Sequence, residues 1–169
     1  MAEINSELVE ILRRQGARTW GVNGQDIFTA TKVTLADDDG SPIDLGLVGE
    51  PKEVKHEPLQ TMFDSGIIPV ISPIGKLEDG RLCNMNADKA AFAIAKVFKV
   101  RKLVFMSDIP GLLKTPSDLS SLISTLRIDE VDCLIQAGVI GGGMLPKVAS
   151  AVEAIRAKVG KVHIIDGGL

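Results

Sequence analysis

Residues 67–72 read "IIPVIS". An unbroken apolar, β-branched run of this length, bounded by Gly66 and by Ser72-Pro73, is the pattern of a strand covered on both faces. The residues around it set the class. Upstream, "EPLQTMFDSG" (57–66) has helical spacing and ends at a glycine. Downstream, an alanine-rich helix runs from Ala87 to about Val100, and "KLVFMS" (102–107) is a second buried strand. "VDCLIQAG" (131–138) reads as a helix stopped by Gly138. "LPKVASAVEAIRAKVG" (145–160) is a further helix, and "KVHIID" (161–166) a third buried strand. Strands alternating with helices predict an α/β fold with a mainly parallel sheet.

Nearer the start, Leu8, Val9, Ile11 and Leu12 give 5–15 a helical stripe that Gly16 terminates. "RTWGV" (18–22) and "FTATKVTLA" (28–36) predict strands, and "ADDDGSP" (36–42) a turn. The Asp37–Asp39 run reads as part of that solvated turn. Trp20 and the phenylalanines are expected in the core, His163 is expected as a core histidine within its strand, and His56 at the surface.

Composition narrows the functions. The chain has 169 residues, 45% of them hydrophobic, with a net charge of −3. One packed domain is expected over 1–169. The charge and the lack of a basic stripe give no support for nucleic-acid binding. No apolar run reaches the roughly 18 residues of a membrane span. The acidic, polar opening "MAEINSELVE" does not read as a signal peptide. Two distant cysteines, Cys83 and Cys133, fit idle thiols in a reducing, cytoplasmic setting.

Three loops stand where α/β sheets gather ligands, after strands and before helices. In "CNMNADKAA" (83–91), Asn86 is placed to cap the following helix and Asp88 falls in its first turn, where the dipole favours a carboxylate. Asn84 is left over, free to face a crevice. "SDIPG" (107–111) follows "KLVFM" directly and reads either as a plain turn or as a contact for ligand hydroxyls or phosphate. "GVIGGGMLPK" (138–147) places three glycines before a helix beginning near Pro146, so that backbone amides and the helix dipole favour a phosphate. Lys147 lies in that first turn, where a cation opposes the dipole; an anionic partner explains it. The stretch matches neither the P-loop pattern nor G-x-G-x-x-G.

Taken together, "CNMNADKAA", "KLVFMSDIPG", "GVIGGGMLPKVASAVEA" and "VHIIDG" resemble the acetylglutamate kinases of the amino-acid kinase family in order and spacing. "INSELVEILRRQGARTWGVNGQD", "DLGLVGEPKEV" and "GIIPVISPIG" extend the likeness over nearly the whole chain. The resemblance implies an αβα sandwich that transfers the γ-phosphoryl of ATP, with Mg²⁺, to the side-chain carboxylate of N-acetylglutamate or a related acceptor in arginine biosynthesis. It implies a cytoplasmic homo-oligomer that uses neither nucleic acid nor membrane. By position, Asn84 would hold the amino-acid substrate, with Asn86 shaping its turn. Asp88 would organise catalytic lysines, and Lys147 would stabilise the transferring phosphoryl group. The nucleotide would lie against Ser107 and the 108–113 and 139–144 loops, with Asp108, Gly111, Leu112, Ile140, Gly141, Gly142, Gly143 and Met144. Residues 67–169 would form the nucleotide half and 1–66 what is present of the acceptor and lid half.

The family's opening K-x-G-G strand, its Gly-Gly loop and its substrate arginine have no counterpart in these 169 residues. The chain ends at "HIIDGGL" where the family continues, and Cys83 stands where tyrosine is common. The amino-acid kinase fold is therefore expected to be incomplete here. Three readings stay open: a portion of a longer kinase, a shortened homologue that pairs with another chain, or a non-catalytic nucleotide-binding or regulatory relative.

Overall fold

The computed structural model describes residues 2–108, 110–115 and 117–168, with the backbone alone at Ala2. The chain divides into two compact units, Met1–Val97 and Phe98–Leu169.

The first unit runs α1 (Ala2–Arg14), β1 (Thr19–Val22), α2 (Gly24–Ile27), β2 (Phe28–Lys32), β3 (Leu35–Ala36), β4 (Pro42–Ile43), β5 (Val48–Val54), α3 (His56–Asp64), β6 (Ile68–Ile71), β7 (Ile74–Leu77), β8 (Leu82–Met85) and then α4 (Ala87–Phe98), whose last residue falls in the second unit. β1 and β6 pair in parallel, Thr19 opposite Ile68 and Val22 opposite Ile71. α1 lies on this pair by its Asn5–Val9–Arg13 side. The Asn5 amide donates to the Val70 carbonyl at 2.8 Å, Val9 is buried, and the Arg13 guanidinium donates to the Thr19 carbonyl. The helix comes this close because β1 has Gly21, where a Cβ would stand 2.5 Å from Asn5 Oδ1.

Four strands close into a small barrel in the order β2-β5-β8-β7. β2–β5 and β7–β8 are antiparallel, whereas β5–β8 and β2–β7 are parallel. Ala30, Leu77, Cys83 and Met85 are buried. Two glycines make room for this interior. A Cβ at Gly49 would stand 2.5 Å from Cys83 Sγ, and one at Gly75 would stand 2.7 Å from Ala30 Cβ and 2.8 Å from Met85 Sδ. Burial pushes the Cys83 thiol above its ordinary pKa, so it stays protonated; its Sγ–H donates to the Gly75 carbonyl.

The second unit runs β9 (Lys102–Ser107), a 3₁₀ turn Leu119–Ser121, α5 (Ile128–Gln136), α6 (Met144–Arg156) and β10 (Lys161–Asp166). β9 and β10 pair in parallel along their whole length, Lys102 opposite Lys161 and Ser107 opposite Asp166. Leu112, Val131, Ile140 and Val148 form the core of this unit, with Ile123, Leu126, Leu134, Met144 and Val152 against them.

The expected helices and the parallel strand pairs are present, so the α/β class holds. Several local expectations are corrected. "FTATKVTLA" is not one strand: β2 ends at Lys32, Val33 donates its N–H to the Val48 carbonyl, and β3 starts at Leu35 as half of a separate hairpin with β4. Asp37 closes that hairpin by accepting from the N–H groups of Asp39 and Ser41. β6, β9 and β10 are not buried on both faces. In β6, Ile68 is 55% exposed and the other three residues are only half-buried. Strand alternation sends Leu103 and Phe105 inward but leaves Val104 and Met106 exposed, and β10 turns His163 and Ile165 to the same open side. His163 is therefore exposed, not a core histidine. Trp20 is 57% exposed, its ring stacked with the Arg13 guanidinium 5.9 Å from the centroid. Among the phenylalanines, Phe28 and Phe105 are core, while Phe63 is exposed.

Candidate active site

α4 begins where β8 ends, and the N-x-N-A-D stretch spans the junction. β8 takes Cys83 and Met85 into the barrel, so the residue between them, Asn84, faces outward and is exposed. Its backbone N–H donates to the Leu47 carbonyl at 2.8 Å, and it stands in register with Val48 and Ile74. Asn84 thus projects from a paired strand rather than from a loose leader. Asn86 caps the helix: its Oδ1 accepts the Lys89 N–H at 3.0 Å, satisfying one of the free donors of the first turn. Asp88 is half-buried in that turn.

One residue here was not singled out from sequence. Lys89, like Lys147, is a cation at the positive end of a helix, where it opposes the dipole. Its ammonium pairs with Glu50 on β5, and so ties the first turn of α4 to the barrel wall. Beneath α4, Ala87, Ala90, Ala91 and Ile94 face Phe28, Pro69, Ile71, Ser72 and Pro73 across an open cavity of about 220 Å³. The cavity is nearly all apolar and does not include the asparagine side chains.

Replacing Asn86 with alanine is expected to cost about 1 kcal/mol of stability, and Asn86→Asp to recover most of it. Urea denaturation of both variants is the check; an unchanged midpoint for the alanine variant would show that the cap bond does not form.

In the second unit, β9 delivers Ser107 and Asp108 at its carboxyl end, and the Ser107 hydroxyl donates to Asp108 Oδ1 at 3.2 Å. β10 ends beside it. Gly167 donates its N–H to the Ser107 carbonyl, and Asp166 Oδ1 accepts from Gly168 N–H. Gly111 is buried at φ 133°, with Leu122 Cδ1 and the Ile164 carbonyl near where a Cβ would go. Only glycine is comfortable there. Of the 108–113 loop, Ile109 lies outside the described residues.

The glycine loop behaves differently. At Gly141, Gly142 and Gly143 nothing lies within 4 Å of a would-be Cβ, although Gly142 has φ 50°. Protein packing does not require three small residues here, and the space over the loop is open. α6 starts immediately after, with Gly143 as its N-cap, two residues earlier than Pro146 suggested. Lys147 is the fourth helical residue and half-buried.

The structure brings the 107–112 loop and the 140–147 stretch together, because Leu112, Ile140, Met144 and Val148 share one core. Leu112 and Ile140 spend their side chains on that core, so what they offer a ligand is backbone. Asn84, Asn86 and Asp88 belong to the first unit, and the remaining candidates to the second. The second unit therefore presents two loops and a helix N-terminus with an open approach, an arrangement suited to phosphates. The first presents two polar side chains and a carboxylate at another helix start.

The family model described as the amino acid kinase family matches residues 1–166. The chain belongs to this family. Among curated members, it is 43% identical to the acetylglutamate kinase of Heliobacterium modesticaldum over 99% of this chain and 59% of that protein. It is 40% identical to that of Desulfitobacterium hafniense, over 99% of this chain and 58% of the other. A crystal structure of a Streptococcus mutans UA159 protein matches with a TM-score of 0.79 at 26% identity, covering 93% of this chain and 60% of that one. The chain thus spans about three-fifths of the length of the curated relatives it matches. No helix among the described residues is long and apolar enough to cross a membrane.

Proposed function

We propose that the protein carrying this chain phosphorylates the side-chain carboxylate of N-acetylglutamate with ATP, giving an acyl phosphate for arginine biosynthesis. The observation that carries the reading is the match of 99% of the chain to curated acetylglutamate kinases with N-x-N-A-D and G-G-G-M-x-P-K both intact. Residues 67–169 serve as the nucleotide half, and 1–66 contribute to the acceptor half.

The chemistry fits the residues present. Phosphoryl transfer needs in-line placement and charge stabilisation, with little covalent help from the protein. The exposed amides of Gly141–Gly143 and the amino end of α6 receive the phosphates, and Lys147 follows the γ-phosphoryl group as a mobile point charge. Ser107, Asp108, Gly111 and Leu112 line the nucleotide from the facing loop, with Ile140 and Met144 holding the two loops together. Asn84 donates to the acceptor from the barrel wall, Asn86 fixes the turn beneath it, and Asp88 orients the cations around the reaction. Among the described residues no group of three or more His, Cys, Asp or Glu is placed to hold a metal. Mg²⁺ needs no such cage, because it travels with the nucleotide phosphates and one or two carboxylates. When bound, it neutralises charge on the transferring group.

The test is hydroxylamine trapping of the acyl phosphate in the full protein, with N-acetylglutamate and ATP·Mg²⁺. A hydroxamate is expected with N-acetylglutamate and little with free glutamate. Turnover of ATP with another carboxylate only would overturn the acceptor. Nucleotide binding without any hydroxamate would favour the regulatory reading.

A further inference from the structure

The bend that separates Asn84 from Asp88 is closed by an ion pair reaching it from another strand. β8 ends at Met85, Asn86 makes the turn, and α4 begins at Ala87. Lys89 is held there at two points. Its backbone N–H donates to Asn86 Oδ1 at 3.0 Å, and its ammonium pairs with the Glu50 carboxylate. Glu50 has a fixed base: it lies in β5 opposite Thr31 of β2, one residue after Gly49, which stands in register with Met85 of β8. The contacts form a ring. Asn84 stands beside Val48, Glu50 follows two residues along β5, the ion pair crosses to Lys89, and the cap bond returns through Asn86 to the strand.

Stability does not account for this pair. Its side chains are 49% and 51% exposed, and an ion pair so open to water adds little to folding. Lys89 is the third residue of α4, where the helix dipole disfavours a cation. What the pair supplies is geometry. Asn84 rides on the strand and Asp88 on the helix, so any swing of α4 about Asn86 changes the spacing between them. We propose that Glu50 and Lys89 are positioning residues: their ion pair holds the first turn of α4 on the barrel and so sets Asn84 and Asp88 relative to each other at the acceptor. This role rests on the acceptor function given to those two residues above.

The dipole makes the two partners unequal. Losing Glu50 leaves Lys89 against the positive end of the helix with its strand partner gone, and the first turn loosens. Losing Lys89 removes the tether and the misplaced charge together. Glu50→Gln should therefore do more harm than Lys89→Gln, and adding Lys89→Gln to Glu50→Gln should recover part of the loss.

The test uses the full protein, with hydroxamate formation as the rate and amide exchange of residues 87–91, read by mass spectrometry, as the geometry. Glu50→Gln should lower kcat/KM for N-acetylglutamate about tenfold, the scale of a small misplacement, while KM for ATP changes less than about twofold. Exchange in 87–91 should quicken, with the urea midpoint unchanged. The double variant should recover toward Lys89→Gln, and Lys89→Arg, which keeps the pair, should retain most of the wild-type kcat/KM. Unchanged kcat/KM or unchanged exchange in Glu50→Gln overturns the positioning role. So does a fall shared equally by ATP and acceptor with a lowered urea midpoint, which marks a fold role, or a double variant worse than Glu50→Gln. A wild type that forms no hydroxamate strikes the acceptor function instead, and exchange that quickens in Glu50→Gln and reverts in the double variant still upholds the tether.

Discussion

Replacing Lys147 with alanine is expected to weaken ATP binding by about 10- to 100-fold while changing adenosine binding by less than about twofold. The size follows from losing a charged hydrogen bond to phosphate, about 1.5–3 kcal/mol. The selectivity follows from position. Lys147 is one turn into α6, behind three glycines whose surroundings are open. In the nucleotide site proposed above, a lysine there serves the terminal phosphates and not the base. ADP should fall between the two ligands. Calorimetric titration with ATP, ADP and adenosine separates the outcomes: equal losses for all three would mean that the lysine only supports the fold, and no loss would place the phosphates elsewhere. Asp88→Asn is the companion change. In the full protein it should lower the hydroxamate rate about 100-fold or more, the scale for removing a preorganised charged group, with ATP affinity little altered.

The largest stability effect is expected at Gly24. A Cβ there would stand 2.0 Å from the Ser72 carbonyl oxygen, 2.5 Å from the Ile74 carbonyl oxygen and 3.0 Å from the Ile74 nitrogen. All three are backbone atoms, so no flexible side chain can yield. Gly24 also donates its N–H to Ser72 Oγ at 3.0 Å, which fixes α2 against the turn between β6 and β7. Gly24→Ala must push these segments apart and should cost about 3 kcal/mol, at the upper end of overpacking. Gly141→Ala is the contrast. Its Cβ would enter empty space, so stability should change by less than about 0.5 kcal/mol. Urea denaturation of both variants decides: matching midpoints would show that the close approach at Gly24 relaxes without cost.

What the sequence conveyed, and what it did not, divides along physical lines. Helix ends were readable because the residues that make them act locally. Asn86 caps α4 by its own side chain, and Gly66 and Gly138 take the positive φ that ends α3 and α5. The barrel was not readable. Its strands are four to seven residues long, two of them carry an interior glycine, and β7 has lysine in mid-strand. Gly49 and Gly75 look like breakers in one dimension but are spacers in three. Trp20 was misread for a similar reason: hydrophobicity gives a tendency to be inside, and strand alternation gives the side. At the site, residue types at helix starts were legible. The pairing of Lys89 with Glu50, 39 positions apart, was not.

The closed circuit of β2, β5, β8 and β7 also sets a hierarchy of motion. An open sheet can fray from its margin, one strand at a time. A ring of four strands has no edge strand, so the amides bonded within it are expected to exchange with solvent more slowly than those of an open pair. The two-stranded pairs β1–β6 and β9–β10 and the small β3–β4 hairpin have no such protection. Asn84 is therefore expected on a slow-opening part of its unit, and the β3–β4 hairpin, inserted between β2 and β5, is free to breathe without disturbing it.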